Sequence, residues 1–193
     1  ETSPCMMFNP HGRNGSIGIA MPSTALRVVD DQGQAVTASA SGELQVKGPQ
    51  VFAGYWQNAQ ETRAAFTDDG WFKTGDIVTV AEDGFMHLVD RKKDMILVSG
   101  FNVYPKEIED VVASHPGILE CACIGVPDER SGEVPHLFAV PRAPGEAVTV
   151  DELKAHCRSG LTAYKVPRYI TFVESLPKSL AGKILRKDLR TAH

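Results

Sequence analysis

Long apolar runs, cysteine pairs and an excess of positive charge are missing from this sequence. No uninterrupted apolar stretch is long enough to span a bilayer as a helix. The 20 Lys and Arg residues are outnumbered by 24 Asp and Glu residues, which gives a formal net charge of −4. Because a general nucleic-acid-binding protein should be basic, this balance argues against nucleic acid as a partner.

The four cysteines form no C-x-x-C pair, and the six histidines show no paired spacing that would assign a metal to them. Cys121 and Cys123 alternate within "ECACIGV", which predicts that both side chains point to one face of a strand. We interpret the cysteines as small buried thiols in a reducing compartment and expect a cytoplasmic protein. Residue 1 is Glu and the opening is loop-like, so we recognise no signal peptide and expect a piece of a longer protein.

Short strands separated by turns are predicted for the first half. The segment "SGELQVKGP" alternates apolar and polar residues, and "TGDIVTVAEDGFMHLVDR" has the form of a hairpin around the turn Glu82-Asp83-Gly84. One short helix is predicted in "NAQETRAAF", with Asn58 as its N-cap and Glu61 as the capping-box partner.

The second half has the pattern of a compact α+β domain of about a hundred residues. A short strand is followed by a helix that starts at Pro105, two strands, and a second helix capped by Thr149 or Asp151. Another strand and a closing helix in "ILRKDLR" complete the order. The boundary between the halves falls at the cationic segment 90–94, which is either a solvated turn or a hinge.

A nucleotide site is one interpretation of two residues on the predicted hairpin. A carboxylate held between a glycine and a strand, as Asp76 is in "TGDI", can accept hydrogen bonds from the two hydroxyls of a ribose. Arg91 closes the second strand, from which its guanidinium could reach a sugar or phosphate oxygen. Gly-Asp at the start of a strand is also a common turn, so the spacing alone leaves both interpretations open.

A basic segment near the C-terminus, "LPKSLAGKILRKDLR", places Lys183 between a glycine and an apolar pair. The residues alone allow a lysine whose stem packs on a helix start while its ammonium stays in water. They also allow a basic tail that binds nucleic acid or an anionic membrane. Against that reading, Asp188 interrupts the cations and no aromatic side chains are interleaved for stacking.

Residues 69–93 match almost throughout a signature of the form D-G-W-x-x-T-G-D-I followed by G-x-x-x-x-x-D-R-K-K. The segments "ETSP", "KGPQVFAGYW" and "LTAYKVPRYITFVESLPKSLAGKILRKDLR" resemble further motifs of the same family. With these motifs the chain resembles fatty acyl-CoA synthetases of the adenylate-forming superfamily, which also holds aryl-CoA ligases and luciferase. Within this superfamily it most resembles bacterial long-chain fatty acid–CoA ligases, and the resemblance covers essentially the whole chain.

The resemblance implies a mixed α/β fold of two parts. Residues 1–92 would be the β-rich, distorted-barrel subdomain that ends the large domain, and residues 93–193 the mobile C-terminal α+β domain. The phosphate loop and the acyl tunnel of the family do not occur in this sequence and are expected upstream of Glu1. We therefore expect the C-terminal part of a synthetase, which does not form acyl-adenylate by itself.

The resemblance also implies roles for individual residues. Asp76 matches the aspartate that holds the ribose hydroxyls of ATP and of the acyl-adenylate, and Arg91 matches the arginine that contacts the same nucleotide. Lys183 matches the lysine that enters the site during adenylation, where its charge would stabilise the transition state. Lys93 falls on the hinge position of the family. Glu1 matches the glutamate that helps to hold Mg²⁺.

The loop "SGFN" matches the family loop that lines the channel for the pantetheine of CoA, which implies this role for Ser99, Gly100 and Phe101. Rotation about Lys93 would exchange this loop for the catalytic lysine, so that each state completes a different site. One departure concerns Leu97, which stands where a relative has a lysine and weakens the case for an aryl substrate.

The reactants that the resemblance implies are a fatty acid, ATP with Mg²⁺, and CoA. A homodimer and peripheral contact with the inner face of the membrane stay open. One alternative is an adenylating ligase for another carboxylate, aryl or medium-chain. A second alternative is a binding or regulatory module that kept the fold without the chemistry. The joint retention of Asp76, Arg91 and Lys183 argues against this module.

Overall fold

The computed structural model describes residues 1–10, 12–36, 40–142 and 148–191. Residue contacts divide the chain into Glu1–Lys93 and Asp94–His193, named unit 1 and unit 2 below. Both units contain strands and helices, so the mixed α/β class is confirmed. No helix in the described residues is long and apolar enough to cross a membrane.

Unit 1 begins with a two-stranded antiparallel ribbon of β1 (Met7–Phe8) and β2 (Ile19–Ala20). Its main sheet has four antiparallel strands that lie side by side in chain order: β3 (Ala25–Val29), β4 (Ser41–Lys47), β5 (Phe72–Val80) and β6 (Met86–Arg91). The helix α1 (Ala59–Ala65) precedes β5. The Asn58 side chain accepts a hydrogen bond from the Glu61 backbone N–H at 3.1 Å, which confirms the predicted N-cap.

The main sheet of unit 1 is open within the described residues. Closure into a barrel would need β3 to pair with β6, but these two strands form the opposite edges of the sheet. Isolated bridges continue the sheet at its edges, from Val29 to Ala35 and from Met86 to Gly18. The expectation of a β-rich subdomain is confirmed, whereas the distorted barrel is corrected to an open sheet.

Strand β4 is covered on both faces, although apolar and polar residues alternate along it. The polar residues Glu43 and Gln45 are only 8% and 5% exposed. Buried polar groups of this kind need hydrogen-bond partners, and both have one. Glu43 Oε2 accepts from Lys92 Nζ at 3.0 Å, and Gln45 Oε1 accepts from Arg27 Nε at 2.8 Å.

Unit 2 contains, in chain order, β7 (Ile96–Val98), β8 (Phe101–Val103), α2 (Pro105–Ala113), β9 (Ile118–Asp128), β10 (Gly132–Pro141), α3 (Val150–Gly160), β11 (Tyr169–Phe172) and α4 (Arg186–Thr191). Strand β10 is central, because it pairs antiparallel with β9 and β7 and parallel with β11. The predicted order of strands and helices is confirmed, and the short strand β8 is an addition. Of the two predicted caps of α3, Thr149 is correct and forms a capping box with Glu152.

Alternate residues of β9 enter two different cores. Cys123 packs in a cluster with Ile108 of α2 and Leu153 of α3. Ile124 packs in a second cluster with Leu189 of α4. The helices α2 and α3 therefore cover one face of the sheet, and α4 covers the other.

Three of the four cysteines are shielded from solvent. Cys123 and Cys157 are buried, and Cys121 is partly buried on the same face as Cys123, as predicted. Burial raises the pKa of Cys121 to about 12 and raises that of Cys123 well above its ordinary value, so both stay neutral thiols. The interpretation as buried thiols is confirmed for these three and wrong for Cys5, which is exposed.

Candidate functional site

Asp76 and Arg91 face each other across the β5–β6 pair of unit 1. They are register partners, and Arg91 Nε lies 2.8 Å from Asp76 Oδ1. A hydroxyl fixes the backbone that presents the carboxylate: the Asp76 N–H donates to Thr74 Oγ1 at 3.0 Å, and this hydroxyl donates to the Leu44 carbonyl at 2.7 Å. Gly75 has a φ of 69°, a left-handed conformation that favours glycine.

The Asp76–Arg91 pair offers an acceptor and a donor to one ligand. The Asp76 side chain is 23% exposed and the Arg91 side chain 46%, so an external ligand can reach both. A carboxylate accepts hydrogen bonds from hydroxyls, and a guanidinium donates to sugar or phosphate oxygens. The structure thus brings together the two residues that were predicted to share a nucleotide.

Tyr55 holds Glu1 in a contact that the sequence analysis did not predict. The Tyr55 hydroxyl donates to Glu1 Oε1 at 2.9 Å, and this hydrogen bond to a carboxylate raises the pKa of Tyr55. The Tyr55 ring packs edge-on against Phe52, whose backbone N–H donates to the Glu1 carbonyl at 2.9 Å. The sequence feature that could have indicated this contact is the motif "KGPQVFAGYW", which contains both aromatic residues.

Glu1 is an exposed carboxylate whose chemistry suits a hard cation. Across residues 1–10, 12–36, 40–142 and 148–191, no group of three or more His, Cys, Asp or Glu side chains could hold a metal ion. Mg²⁺ in proteins commonly binds one or two carboxylates together with phosphate oxygens of the substrate. The donor set at Glu1 therefore fits a Mg²⁺ ion shared with a phosphate and does not fit an all-protein metal centre.

Lys93 is exposed and lies in a short 3₁₀ turn between two anchored neighbours. Lys92 Nζ lies 3.0 Å from Glu43 Oε2, within unit 1. Partial burial alone would lower the pKa of Lys92, but the hydrogen bond and charge of Glu43 outweigh it and raise this pKa. Asp94 is 7% exposed, and its Oδ1 lies 3.1 Å from Arg190 Nη2, within unit 2. Each neighbour of Lys93 is thus tied to its own unit.

Ser99 and Gly100 form the two-residue turn of the β7–β8 hairpin. Val98 pairs with Phe101, and the two turn residues have φ values of 50° and 86°, as a type I′ turn requires. The Ser99 N–H donates to the Ser131 carbonyl at 2.7 Å, which ties the turn to the rest of unit 2. A Cβ added to Gly100 would meet no atom within 4 Å, so the space beside the turn is open.

Phe101 extends this open turn with an apolar surface. Its ring stacks on Tyr164 at a centroid distance of 4.8 Å, and both side chains are well exposed. Leu97, on the preceding strand, is also exposed. The residues that were predicted to line a channel for CoA, Ser99, Gly100 and Phe101, therefore form an exposed surface with open space beside Gly100.

Lys183 lies on a tight hairpin that precedes α4. Lys178 and Ile184 form an antiparallel bridge, and the Ser179 N–H donates to the Lys183 carbonyl at 2.8 Å. Gly182 closes the turn: its φ is 77°, and its N–H donates to the Ser179 carbonyl at 2.9 Å. Lys183 is exposed, so its ammonium group is available to a ligand.

The Lys183 hairpin and the β7–β8 hairpin are supported by different cores. Ile184 packs against the core that contains Leu189 of α4. Val98 and Val103 pack in the core under α2 and α3, on the other face of the sheet. The two candidate functional loops of unit 2 therefore depend on separate packing.

Residues 1–56 match the family model of the AMP-binding enzyme, and residues 107–183 match that of the AMP-binding enzyme C-terminal domain. Together these matches cover more than half of the chain. The chain belongs to the AMP-binding enzyme family. Glu1 lies in the first matched range and Lys183 ends the second one, whereas the Asp76–Arg91 pair of this family member lies between them.

Individual AMP-binding relatives match nearly the whole chain. A long-chain-fatty-acid–CoA ligase from Salmonella typhimurium is 53% identical over an alignment of 193 positions, which covers 98% of this chain and 34% of that protein. A feruloyl-CoA synthase from Amycolatopsis sp is 44% identical over 176 residues, which are 91% of this chain and 35% of that protein.

The fold of this chain also matches solved structures. The crystal structure of ATP-bound MatB from Rhodopseudomonas palustris has a TM-score of 0.87 and 36% identity, over 92% of this chain and 35% of that one. The chain thus spans about a third of the length of the curated relatives and of the solved structure that it matches.

Proposed function

We propose that this chain is the C-terminal part of a long-chain fatty acid–CoA ligase. Such an enzyme activates a fatty acid with ATP to acyl-AMP and pyrophosphate and then transfers the acyl group to CoA. The observation that carries the proposal is the 53% identity to a long-chain ligase over 98% of the chain. The Asp76–Arg91 pair and the exposed Lys183 hairpin supply side chains that this chemistry needs.

In the proposed first half-reaction, the fatty carboxylate attacks the α-phosphorus of ATP and negative charge builds on the phosphate oxygens. The ammonium of Lys183 stabilises this charge more strongly in the transition state than in the ground state, which accelerates the step. Asp76 accepts hydrogen bonds from the ribose hydroxyls, and Arg91 donates to the same nucleotide.

The proposal includes Mg²⁺, which would neutralise charge on the phosphates when bound. Glu1 would hold the ion, with its carboxylate kept in place by the Tyr55 hydroxyl at 2.9 Å. This assignment is supported by the donor chemistry at Glu1, a single exposed carboxylate of the kind that shares Mg²⁺ with a phosphate.

In the proposed second half-reaction, the turn of Ser99 and Gly100 replaces Lys183 in the active site. The thiol sulfur of CoA then attacks the carbonyl carbon of the acyl-adenylate, a thioester forms and AMP leaves. The open space beside Gly100 and the exposed Phe101 ring support a channel for pantetheine. Rotation about Lys93 exchanges the two loops. It is supported by the ties of Lys92 to unit 1 and of Asp94 to unit 2.

The hinge can be tested in the complete ligase with Lys93→Pro, because proline fixes φ and restricts rotation at this position. We expect the half-reaction that requires the rotated state to slow markedly, measured as pyrophosphate release for adenylation and as acyl-CoA formation from supplied acyl-adenylate. Unaltered rates of both half-reactions would remove the hinge from the proposal.

The substrate class is tested by acyl-CoA formation in the complete ligase with palmitate and with ferulate at equal concentrations. We expect palmitate to be the better substrate by kcat/KM. A second candidate, an aryl-CoA ligase, is favoured by the 44% identity to a feruloyl-CoA synthase and would be supported by the opposite preference. The isolated chain is expected to release no pyrophosphate from ATP and a fatty acid, and release by the pure chain would contradict the assignment as a part of the enzyme.

We also propose a cytoplasmic location, in line with the four free cysteines, and a role in lipid metabolism. Two further features belong to the proposal, namely peripheral contact with a membrane and formation of a homodimer. Flotation with anionic phospholipid vesicles tests the first, and sedimentation velocity of the complete ligase tests the second.

A further inference from the structure

Four charged side chains of unit 2 form one connected network beside β9. Arg186 Nη2 lies 2.7 Å from both carboxylate oxygens of Glu109, and Arg186 Nη1 lies 3.8 Å from Asp94 Oδ2. Arg190 Nη2 lies 3.1 Å from Asp94 Oδ1. The Asp94 and Glu109 side chains are only 10% and 17% exposed, so these carboxylates need the two arginines as partners.

The network joins three stretches that are far apart in the sequence. Asp94 directly follows Lys93, Glu109 belongs to α2, and Arg186 is the first residue of α4, three residues after Lys183. The carboxylate of Glu109 is itself fixed, because its Oε1 accepts from the Cys123 backbone N–H of β9 at 2.8 Å. The start of unit 2 and the base of the Lys183 hairpin are therefore held to the same part of the sheet.

The two legs of the Lys183 hairpin are anchored unequally. The leg before the turn has an ion pair between Lys178 and Glu120, whose side chains are 39% and 36% exposed. An ion pair this exposed contributes little, because water and salt screen it. The leg after the turn has Arg186, 24% exposed, with two short contacts to Glu109. Arg186 is thus the stronger anchor of the hairpin.

We propose that Arg186 is a positioning residue for Lys183, an inference that rests on the proposed ligase function. Displacing a reacting group by about 1 Å can cost about a hundredfold in rate, so the Lys183 ammonium needs a fixed support. Arg186 supplies it through Glu109. Through Asp94 it also ties the hairpin to the residue next to the hinge, so that rotation about Lys93 moves Lys183 as part of one rigid body.

The proposal is tested with Arg186→Gln in the complete ligase, with Lys187→Gln as the matched control. Lys187 is the next residue and is exposed. For Arg186→Gln we expect kcat of adenylation, measured as pyrophosphate release, to fall about tenfold or more while KM for ATP changes less than about threefold. Acyl-CoA formation from supplied acyl-adenylate should stay within about twofold for both variants. An equal loss in both half-reactions for Arg186→Gln would show a general structural role and overturn the proposal.

A double variant separates positioning from other effects. If Arg186 acts through Lys183, Arg186→Gln should lower adenylation no further once Lys183→Ala is present. Multiplied losses in the double variant contradict the proposal. Normal adenylation in Lys183→Ala alone would instead refute the role of Lys183 in the proposed function. A loss in Lys183→Ala with no loss in Arg186→Gln would refute the positioning role alone.

Arg186→Lys keeps the proposal testable if Arg186→Gln does not yield folded protein. Lysine keeps the charge but has a single nitrogen, so it cannot face Glu109 and Asp94 at the same time, as Nη2 and Nη1 of the guanidinium do. We expect a thermal unfolding midpoint close to that of the parent enzyme and adenylation reduced about threefold to tenfold. Adenylation at the parental rate in Arg186→Lys would overturn the proposal.

Discussion

Asp76 and Lys183 are presented by different kinds of structure. Asp76 lies within the nine-residue strand β5, with Arg91 as its register partner on β6, so the sheet itself fixes its position. Lys183 lies on an exposed hairpin between the turn residue Gly182 and a six-residue helix, and a few contacts at the base of the hairpin hold it. One group is part of a rigid element, and the other is carried at the end of a loop.

This difference suits an active site in which the nucleotide-binding residue Asp76 stays in place while Lys183 moves in and out. A group that binds the nucleotide in both half-reactions belongs on a rigid element, whereas a group needed in one half-reaction must be able to leave. Under the proposed function, substitutions on the sheet should therefore affect both half-reactions. Substitutions on either hairpin of unit 2 should affect only one.

The largest effect is expected for Lys183→Ala in the complete ligase. Loss of a positive charge aimed at the developing oxyanion should lower adenylation about a hundredfold or more. The rate of thioester formation from supplied acyl-adenylate should stay within about twofold, because in the proposed mechanism the lysine has left the site at that stage. Lys187→Ala is the control and should leave both rates unchanged. Equal slowing of the two half-reactions by Lys183→Ala would show that the lysine has only a structural role.

Asp76→Asn should weaken both half-reactions, in contrast to Lys183→Ala. A hydrogen bond to a charged group contributes about 1.5–3 kcal/mol, so we expect a loss of about tenfold to a hundredfold in kcat/KM for ATP and for acyl-adenylate. Asp69→Asn is the matched control, because Asp69 is paired with Arg27 elsewhere in unit 1. If Asp76→Asn slowed adenylation alone, the proposed difference between a nucleotide site fixed on the sheet and a lysine that enters for one half-reaction would be wrong.

The turn glycines of the two hairpins allow a test of whether each hairpin serves a different half-reaction. Gly182 and Gly100 have φ values of 77° and 86°, and a Cβ at either position would meet no atom within 4 Å, so alanine would be strained without a clash. The strain of a left-handed alanine is about 1–2 kcal/mol, equivalent to about fivefold to thirtyfold. Gly182→Ala should slow adenylation, and Gly100→Ala should slow thioester formation.

The same half-reaction slowed by both substitutions would show that the hairpins do not alternate. Gly84→Ala serves as a control, since Gly84 also has positive φ and open space but lies in the β5–β6 turn of unit 1. Its strain should lower the midpoint of thermal unfolding without favouring either half-reaction.

Local signals predicted the elements well. The caps Asn58 and Thr149, the helix start at Pro105 and the alternation of Cys121 with Cys123 all depend on neighbours within a few residues. The resemblance to a family supplied the site residues, and the structure brings Asp76 to Arg91 because their strands pair directly.

Contacts between distant positions could not be predicted from the sequence. The burial of Glu43 depends on Lys92, and the network around Arg186 depends on carboxylates from two other stretches of the chain. Strand β8 was missed because its three residues are too few to show a repeating pattern, although the dipeptide Ser99-Gly100 is a known turn signal.

The smallest expected effect is that of the ion pair between Arg27 and Asp69, which belongs to unit 1 and lies outside the proposed site. Hydrogen bonds from Arg27, and then from Thr67, lower the pKa of the exposed Asp69 from 3.8 to about 2. Because the folded pKa is the lower one, the ionised pair stabilises unit 1 above about pH 4, and this contribution is lost as the pH falls towards 2.

Arg27→Gln should return the pKa of Asp69 towards 3.8 and remove the stabilisation that depends on this pair. The pKa is measured from the carboxyl carbon signal of Asp69 by NMR titration, and the stability from thermal unfolding midpoints between pH 5 and pH 2. Both half-reactions at neutral pH should be unchanged, because the pair holds neither the nucleotide nor a mobile hairpin. A change in either half-reaction would mean that the fixed part of the site extends beyond Asp76 and Arg91.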